Sequence, residues 1–202
     1  FLKNYFNRNA FSVMTTEAFL DEVMDYLIKP EKLNVGRVKL KEWIYEPGLP
    51  KDAVLPKSNR FEAVDNVRES FMNGTPAVKL TTDSWSSHEW VYFVRGLPDT
   101  LSIENMLELD DAFGFTATGN SELLTAWLLL SIKTDYSPAD ERLETFLINT
   151  GRRKFLMPLY TELVRKDATR VRAKSIYEKA RQNYHYVSTN SIDELLNYEA
   201  IN

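Results

Sequence analysis

Residues 121–151 read SELLTAWLLLSIKTDYSPADERLETFLINTG, and this stretch decides the fold class. Leu123, Leu124, Trp127, Leu128 and Ser131 follow spacings of three and four, the period of a helix over 121–133. The apolar run Leu123–Ile132 is about half the roughly 20 residues a membrane-crossing helix needs, so it reads as a helix buried on most sides of a core. Ser137-Pro138 then supplies a cap followed by proline at a first helical position, where its missing N–H costs nothing. The second helix closes at Gly151, the expected left-handed residue after a C-terminus. A link this short makes the two helices antiparallel neighbours.

The same spacing extends in both directions, and period-2 alternation is rare. Helices are expected over 1–8, from Thr16 to about Lys29, and over 59–73, 87–95, 103–113, 158–166, 168–184 and 190–199. Thr16 and Ser102 are expected caps, and Ser86-Ser87-His88-Glu89 fits a capping box. Phe61, Val64, Val67, Arg68 and Phe71 form the stripe of the 59–73 helix. Helices joined by brief turns fit an all-α fold, a two-layer α–α superhelix of the armadillo or HEAT solenoid type. No sequence repeat at a fixed period accompanies it. Residues 47–58 combine three prolines with a glycine and form the expected boundary between two parts.

Composition narrows the function. The 202 residues are 44% hydrophobic and 27% charged with net charge −4, an ordinary globular balance that argues against a domain-wide nucleic-acid footprint. With no cysteine, thiolate metal sites and cysteine nucleophiles are excluded. His88 and His185 are the two histidines and lie far apart, so no H-E-x-x-H helix exists. His88 reads as a residue satisfied within a first helical turn, and His185 as a residue at a helix end, where a cation complements the dipole. Glu108, Asp110 and Asp111 read as a solvated helix face. No phosphate loop or G-x-S-x-G elbow is present. No catalytic residue and no metal ligand is expected within this chain.

Gly151-Arg152-Arg153-Lys154-Phe155-Leu156-Met157-Pro158 breaks a local rule, because its three cations lead into a helix N-terminus. The plain reading is solvated surface. A sharper one starts the next helix at Pro158 and leaves 152–156 extended. Arg152 and Lys154, as alternate residues, would then project together as a two-cation clamp for a carboxylate.

Four stretches together resemble one family. Trp43-Ile44-Tyr45-Glu46-Pro47-Gly48-Leu49-Pro50 is similar to a W-x-Y-x-P-G-L-P pattern, and Ser86-Ser87-His88-Glu89 to a Ser-Ser-His-Gln stretch. Asn120-Ser121-Glu122 leads a helix containing Trp127, and Gly151–Tyr160 resembles G-R-x-K-F-x-x-P-L-[FY]. In this order and spacing they resemble the C-terminal region of the leukotriene A4 hydrolase and aminopeptidase B family of gluzincin zinc aminopeptidases. The resemblance covers essentially the whole chain.

The resemblance implies that 1–46 are the last helices of a truncated thermolysin-like catalytic domain, 47–58 a linker, and 59–202 the C-terminal solenoid. Some apolar surface of 1–46 should then be open. The family's zinc helix, third zinc ligand and catalytic tyrosine would lie before Phe1. One zinc ion is expected in that missing domain and none in this chain, which alone would be inactive. Carried over position by position, Arg152 and Lys154 would bind the free carboxylate of short peptide substrates, and the solenoid would wall the cleft. The implied partners are those peptides and the catalytic domain, with no nucleic acid or membrane; a cytoplasmic monomer is expected, with a periplasmic or secreted site as alternatives. The rival reading is a free-standing helical-repeat module docking an acidic partner through the same cations.

Overall fold

The computed structural model describes residues 1–34, 39–51 and 53–198, and these divide into two compact units, Phe1–Lys57 and Ser58–Asn202. Eleven α-helices and no strand occur among the described residues. The first unit holds α1 (Leu2–Arg8), α2 (Thr16–Val23) and α3 (Leu40–Tyr45). The second holds α4 (Arg60–Met72), α5 (Ser87–Arg95), α6 (Ile103–Phe113), α7 (Ser121–Thr134), α8 (Asp140–Asn149), α9 (Arg153–Leu163), α10 (Asp167–Ala180) and α11 (Tyr186–Leu196).

In the second unit α7 is the central helix, as its sequence requires. The Asn120 side chain accepts from the backbone N–H of Glu122 and Leu123 (3.0 and 3.3 Å), satisfying two first-turn donors. Nine of its 14 residues are buried. The helix packs between α5 and α9, and α11 follows α9, so α5, α7, α9 and α11 make one row. Helices α8 and α10 lie side by side in the second, and α4 pairs with α5. This is the all-α, two-layer superhelix. One continuous core runs through it from Val64 to Leu196. Aromatic rings link its steps: Trp90 to Phe113 (4.8 Å between centroids), Phe113 to Phe115 (5.5 Å), Phe115 to Trp127 (5.0 Å) and Trp127 to Tyr136 (5.7 Å).

Ion pairs expose a period that the letters hide. Asp99–Lys133, Glu122–Lys154, Asp135–Lys166, Asp140–Arg172 and Glu144–Lys179 each join an acid to a cation 31 to 35 residues later. That separation is one helical hairpin. Such exposed pairs contribute little stability; they mark the stacking register.

Several local expectations change. The cap of α2 is Thr15, whose hydroxyl accepts from Ala18 N (3.2 Å), while Thr16 is already helical. Helix α8 ends at Asn149 with Thr150 extended, and Gly151 is not among the positive-φ glycines. The reason is space: only residues 150–152 separate α8 from α9, so the chain leaves extended rather than curling into a left-handed cap. His185 begins α11 rather than closing α10. Its Nδ1 accepts from Val187 N (3.3 Å), so the side chain serves as the N-cap of α11. Glu108 and Asp110 are not merely solvated: Glu108 accepts from Ala77 N (2.8 Å), and Asp110 anchors Thr116 and Tyr136.

In the first unit α2 runs on through a π turn, Met24–Ile28, with Lys29 N bonded to Met24 O (3.0 Å), and stops before Pro30. Val23 and Ile28 are buried, whereas Phe11 and Val13 are fully exposed. Arg8 pairs with Glu22 (2.5 Å), and Tyr45 Oη donates to Glu17 (3.0 Å).

A charged lock closes the far end of the second unit. Arg181 donates to both Asp193 oxygens (3.0 and 2.8 Å), and Tyr177 Oη donates to Asp193 (2.6 Å). The Arg181 guanidinium holds the Asp193 carboxyl below the usual carboxylate range. A lowered carboxylate pKa contributes stability that is present above the unfolded value, about 4, and is lost as pH falls through the folded one. Asp193→Asn is therefore expected to be less stable than the parent at pH 7, with the difference narrowing below about pH 4. Urea unfolding from pH 7 to pH 3 reads this; a difference unchanged across that range contradicts it.

Candidate functional site

The site is built at the start of α9. Pro158 does not begin this helix; it is the sixth residue within it, and Arg153 is the first. Proline has no N–H to give the Lys154 carbonyl and is costly inside a helix. Packing overrides that cost. Phe155, Leu156, Leu159, Tyr160 and Leu163 form one buried face, which holds the first turn helical, while Pro158 sits on the exposed side. Arg152 is the extended N-cap (φ −80°, ψ 112°), and its carbonyl accepts from Phe155 N and Leu156 N (2.9 and 3.2 Å). Only Arg152 of the expected extended stretch is extended, so Arg152 and Lys154 are not alternate residues of a strand-like segment.

The three cations part company. Arg153 turns toward α11, where its Nε donates to Ser191 Oγ (2.9 Å). Lys154 turns toward α7, where its Nζ meets Glu122 Oε1 (2.5 Å). The Arg152 and Lys154 cationic groups lie 5.4 and 5.7 Å from the Phe155 ring centroid, and the Arg152 charge, like that of Lys154, acts on Glu122. Glu122 is held below the usual carboxylate range, first by the Lys154 hydrogen bond and then by the charges of Lys154, Arg152 and Arg95. One carboxylate thus already feels three cations from two helices and a cap.

Around this cluster lies a cavity of about 420 Å³. Phe61 of α4 and Ser87, His88, Val91, Tyr92 and Arg95 of α5 line it, with Asn120 at the N-cap of α7, Glu122 of α7 and Lys154 of α9. A smaller hollow of about 250 Å³ shares Phe61 and His88 with it. The expected capping box is present: Ser86 bonds the first turn of α5, and Glu89 reaches back to Ser86 N (3.0 Å). Ser86 is the chief cause of the lowered Glu89 carboxyl, and Arg60 pairs with its other oxygen. Ser87 Oγ accepts from Asn120 Nδ2 (2.9 Å). The Ser-Ser-His-Glu, Asn-Ser-Glu and Gly-Arg-Arg-Lys stretches therefore converge: the first meets the second through Ser87–Asn120, and the second meets the third through Glu122–Lys154.

Sequence reading missed Phe61, Tyr92 and Arg95. Phe61 belongs to the apolar stripe of the 59–73 helix, yet it is 49% exposed. The one signal is position: Phe61 lies in the first turn of α4, ahead of the buried Val64 and Phe71. A second hollow of about 520 Å³ lies beside Asp110, Asp111, Glu141 and Arg142, but the Asp110 oxygens are engaged by Thr116 and Tyr136. No group of three or more His, Cys, Asp or Glu that could hold a metal occurs among the described residues. No described helix is long and apolar enough to cross a membrane.

Residues 85–196 match the family described as leukotriene A4 hydrolase, C-terminal. The chain is similar to leucine aminopeptidase 2 of Pyricularia oryzae, 27% identical over 194 residues that cover 92% of this chain and 31% of that protein. It is also similar to aminopeptidase B of Mus musculus, 23% identical over 211 residues, covering 97% of this chain and 32% of that one. Its fold is like that of native yeast LTA4 hydrolase, with a TM-score of 0.67 and 20% identity over 98% of this chain and 35% of the other. The chain thus spans about a third of the length of the curated relatives it matches.

Proposed function

Since the chain belongs to the leukotriene A4 hydrolase C-terminal family, we propose that it is the substrate-docking part of a zinc-dependent aminopeptidase, walling the active-site cleft and holding the free carboxylate of short peptides. The supporting observation is the convergence of the three family-like stretches on one cavity, with Lys154 lining it and the charges of Lys154 and Arg152 both acting on Glu122. Arg152 offers a planar fork and Lys154 a compact point charge, a pair suited to one carboxylate. Holding that end orients the peptide and removes entropic cost from the chemical step. Glu122 already occupies one of the three ammonium donors of Lys154, and the other two are left for an incoming carboxylate.

In such an enzyme zinc activates water. The described residues do not fit a zinc site, so in this reading metal and water belong to a catalytic domain to which 1–46 contribute the last helices and 47–58 the linker. Residues 59–202 are then the docking domain of a cytoplasmic monomer.

The test is made in the full-length protein. Arg152→Ala is expected to lower kcat/KM for peptides with a free C-terminal carboxylate by about 10- to 150-fold, and to affect amino-acyl arylamides much less. Lys154→Ala should show the same selectivity with a smaller loss, and Arg153→Ala, whose partner is Ser191, little change. Equal losses on both substrate classes would overturn the reading.

A further inference from the structure

We propose that the stacked rings of Phe61 and Tyr92 form a subsite for the side chain of the substrate's C-terminal residue, selecting peptides that end in an aromatic or large apolar residue. The proposal rests on the carboxylate reading above and names the substrate class of that same site. A C-terminal residue carries its carboxylate and its side chain on one α-carbon. With the carboxylate at Lys154, the side chain lies in the cavity that Lys154 lines, and the apolar lining there is Phe61, Val91 and Tyr92.

The two rings stack at 4.4 Å between centroids and 24° between planes, yet Phe61 remains 49% exposed. An exposed stack beside a cationic cluster offers an anion with an apolar body both of the things it needs. Covering the stack removes apolar surface from water, and a third ring adds its own stacking contact. Arg95, Lys154 and the nearby Arg152 outnumber Glu122, so a basic C-terminal side chain is repelled.

The wall is also set in advance. Tyr92 Oη donates to Asp65 Oδ2 (3.2 Å), and Arg68 pairs with the other oxygen of Asp65. The Arg68 guanidinium lies 5.6 Å from the Tyr92 ring centroid and fills the space at Gly96 that any side chain would occupy. A ring pinned this way does not have to be ordered on binding, which limits the entropic cost.

The experiment measures kcat/KM of the full-length protein on tripeptides Ala-Ala-X, with X as Phe, Leu, Ala or Lys, each as free acid and as C-terminal amide. The parent is expected to favour Phe over Ala by roughly tenfold as acids, with Lys below Ala. Phe61→Ala should reduce the Phe-over-Ala ratio to about twofold and leave the acid-over-amide ratio unchanged. Phe61→Leu, which keeps the helix face apolar, should give an intermediate ratio and serves where the alanine variant folds poorly. A Phe-over-Ala ratio near one in the parent, or one unchanged in both variants, overturns the subsite while leaving the carboxylate reading intact. Equal rates on acids and amides in the parent overturn the carboxylate reading itself, and the subsite with it.

Discussion

Trp127→Ala is expected to destabilise the helical superhelix by about 3–5 kcal/mol, the largest effect of any single substitution considered for this chain. Trp127 is the largest fully buried side chain, at 0% exposure in the middle of α7. It contacts Phe115 on one side and Tyr136 on the other, at 5.0 and 5.7 Å between centroids. Its Nε1 also donates to Thr116 Oγ1 (2.9 Å), so the ring joins three segments of chain rather than filling a hole. Truncation opens a cavity where α6, α7 and the turn after α7 meet, and a close-packed interior does not collapse freely to refill it. Urea unfolding followed by circular dichroism measures the loss. Trp127→Phe, which keeps most of the volume and gives up the hydrogen bond, should fall between the parent and the alanine variant. A loss below about 1 kcal/mol for Trp127→Ala would mean that α7 is not the packing centre.

Asp110→Ala comes next, at about 2–4 kcal/mol. Its carboxylate accepts from Thr116 N (2.8 Å), Thr116 Oγ1 (2.5 Å) and Tyr136 Oη (3.1 Å). Tyr136 is buried, and burial together with the neighbouring Asp110 pushes its phenol well above the ordinary tyrosine range. Removing the acceptor leaves the buried Tyr136 hydroxyl and the half-buried Thr116 donors without it, and an unmet buried donor costs more than a made bond contributes. Asp110→Asn retains one carbonyl oxygen and should recover part of the loss. Because Thr116 stands between Asp110 and Trp127, the double variant Asp110→Ala with Trp127→Ala should cost less than the sum of the singles. Strict additivity would show that the two act separately.

The legible parts of this molecule are those governed by neighbours in the chain. Ser86 with Glu89, and Ser102, are caps in the structure as in the sequence, because a cap satisfies donors two or three residues away. Leu123–Ile132 is a buried helix because so apolar a run has no face to give to water. The cationic run 152–154 stands out on sequence grounds, because it opposes the dipole of the helix it enters.

What the letters leave open is decided by contacts between helices about 32 residues apart. Pro158 reads locally as a helix start; the buried face of Phe155, Leu156 and Leu159 makes the helix begin earlier, at Arg153. Arg152, Arg153 and Lys154 are consecutive and chemically alike. Only the presence of Ser191 on one side and Glu122 on the other separates Arg153 from Lys154. Phe61 reads as core and is found lining a cavity, because burial depends on what the next hairpin covers. The hairpin period shows no repeat in the sequence, since the positions that mark it are exposed pairs where Asp or Glu and Lys or Arg serve equally well. Caps and periodicity are short-range and written into each segment, whereas register and convergence arise only when the segments pack.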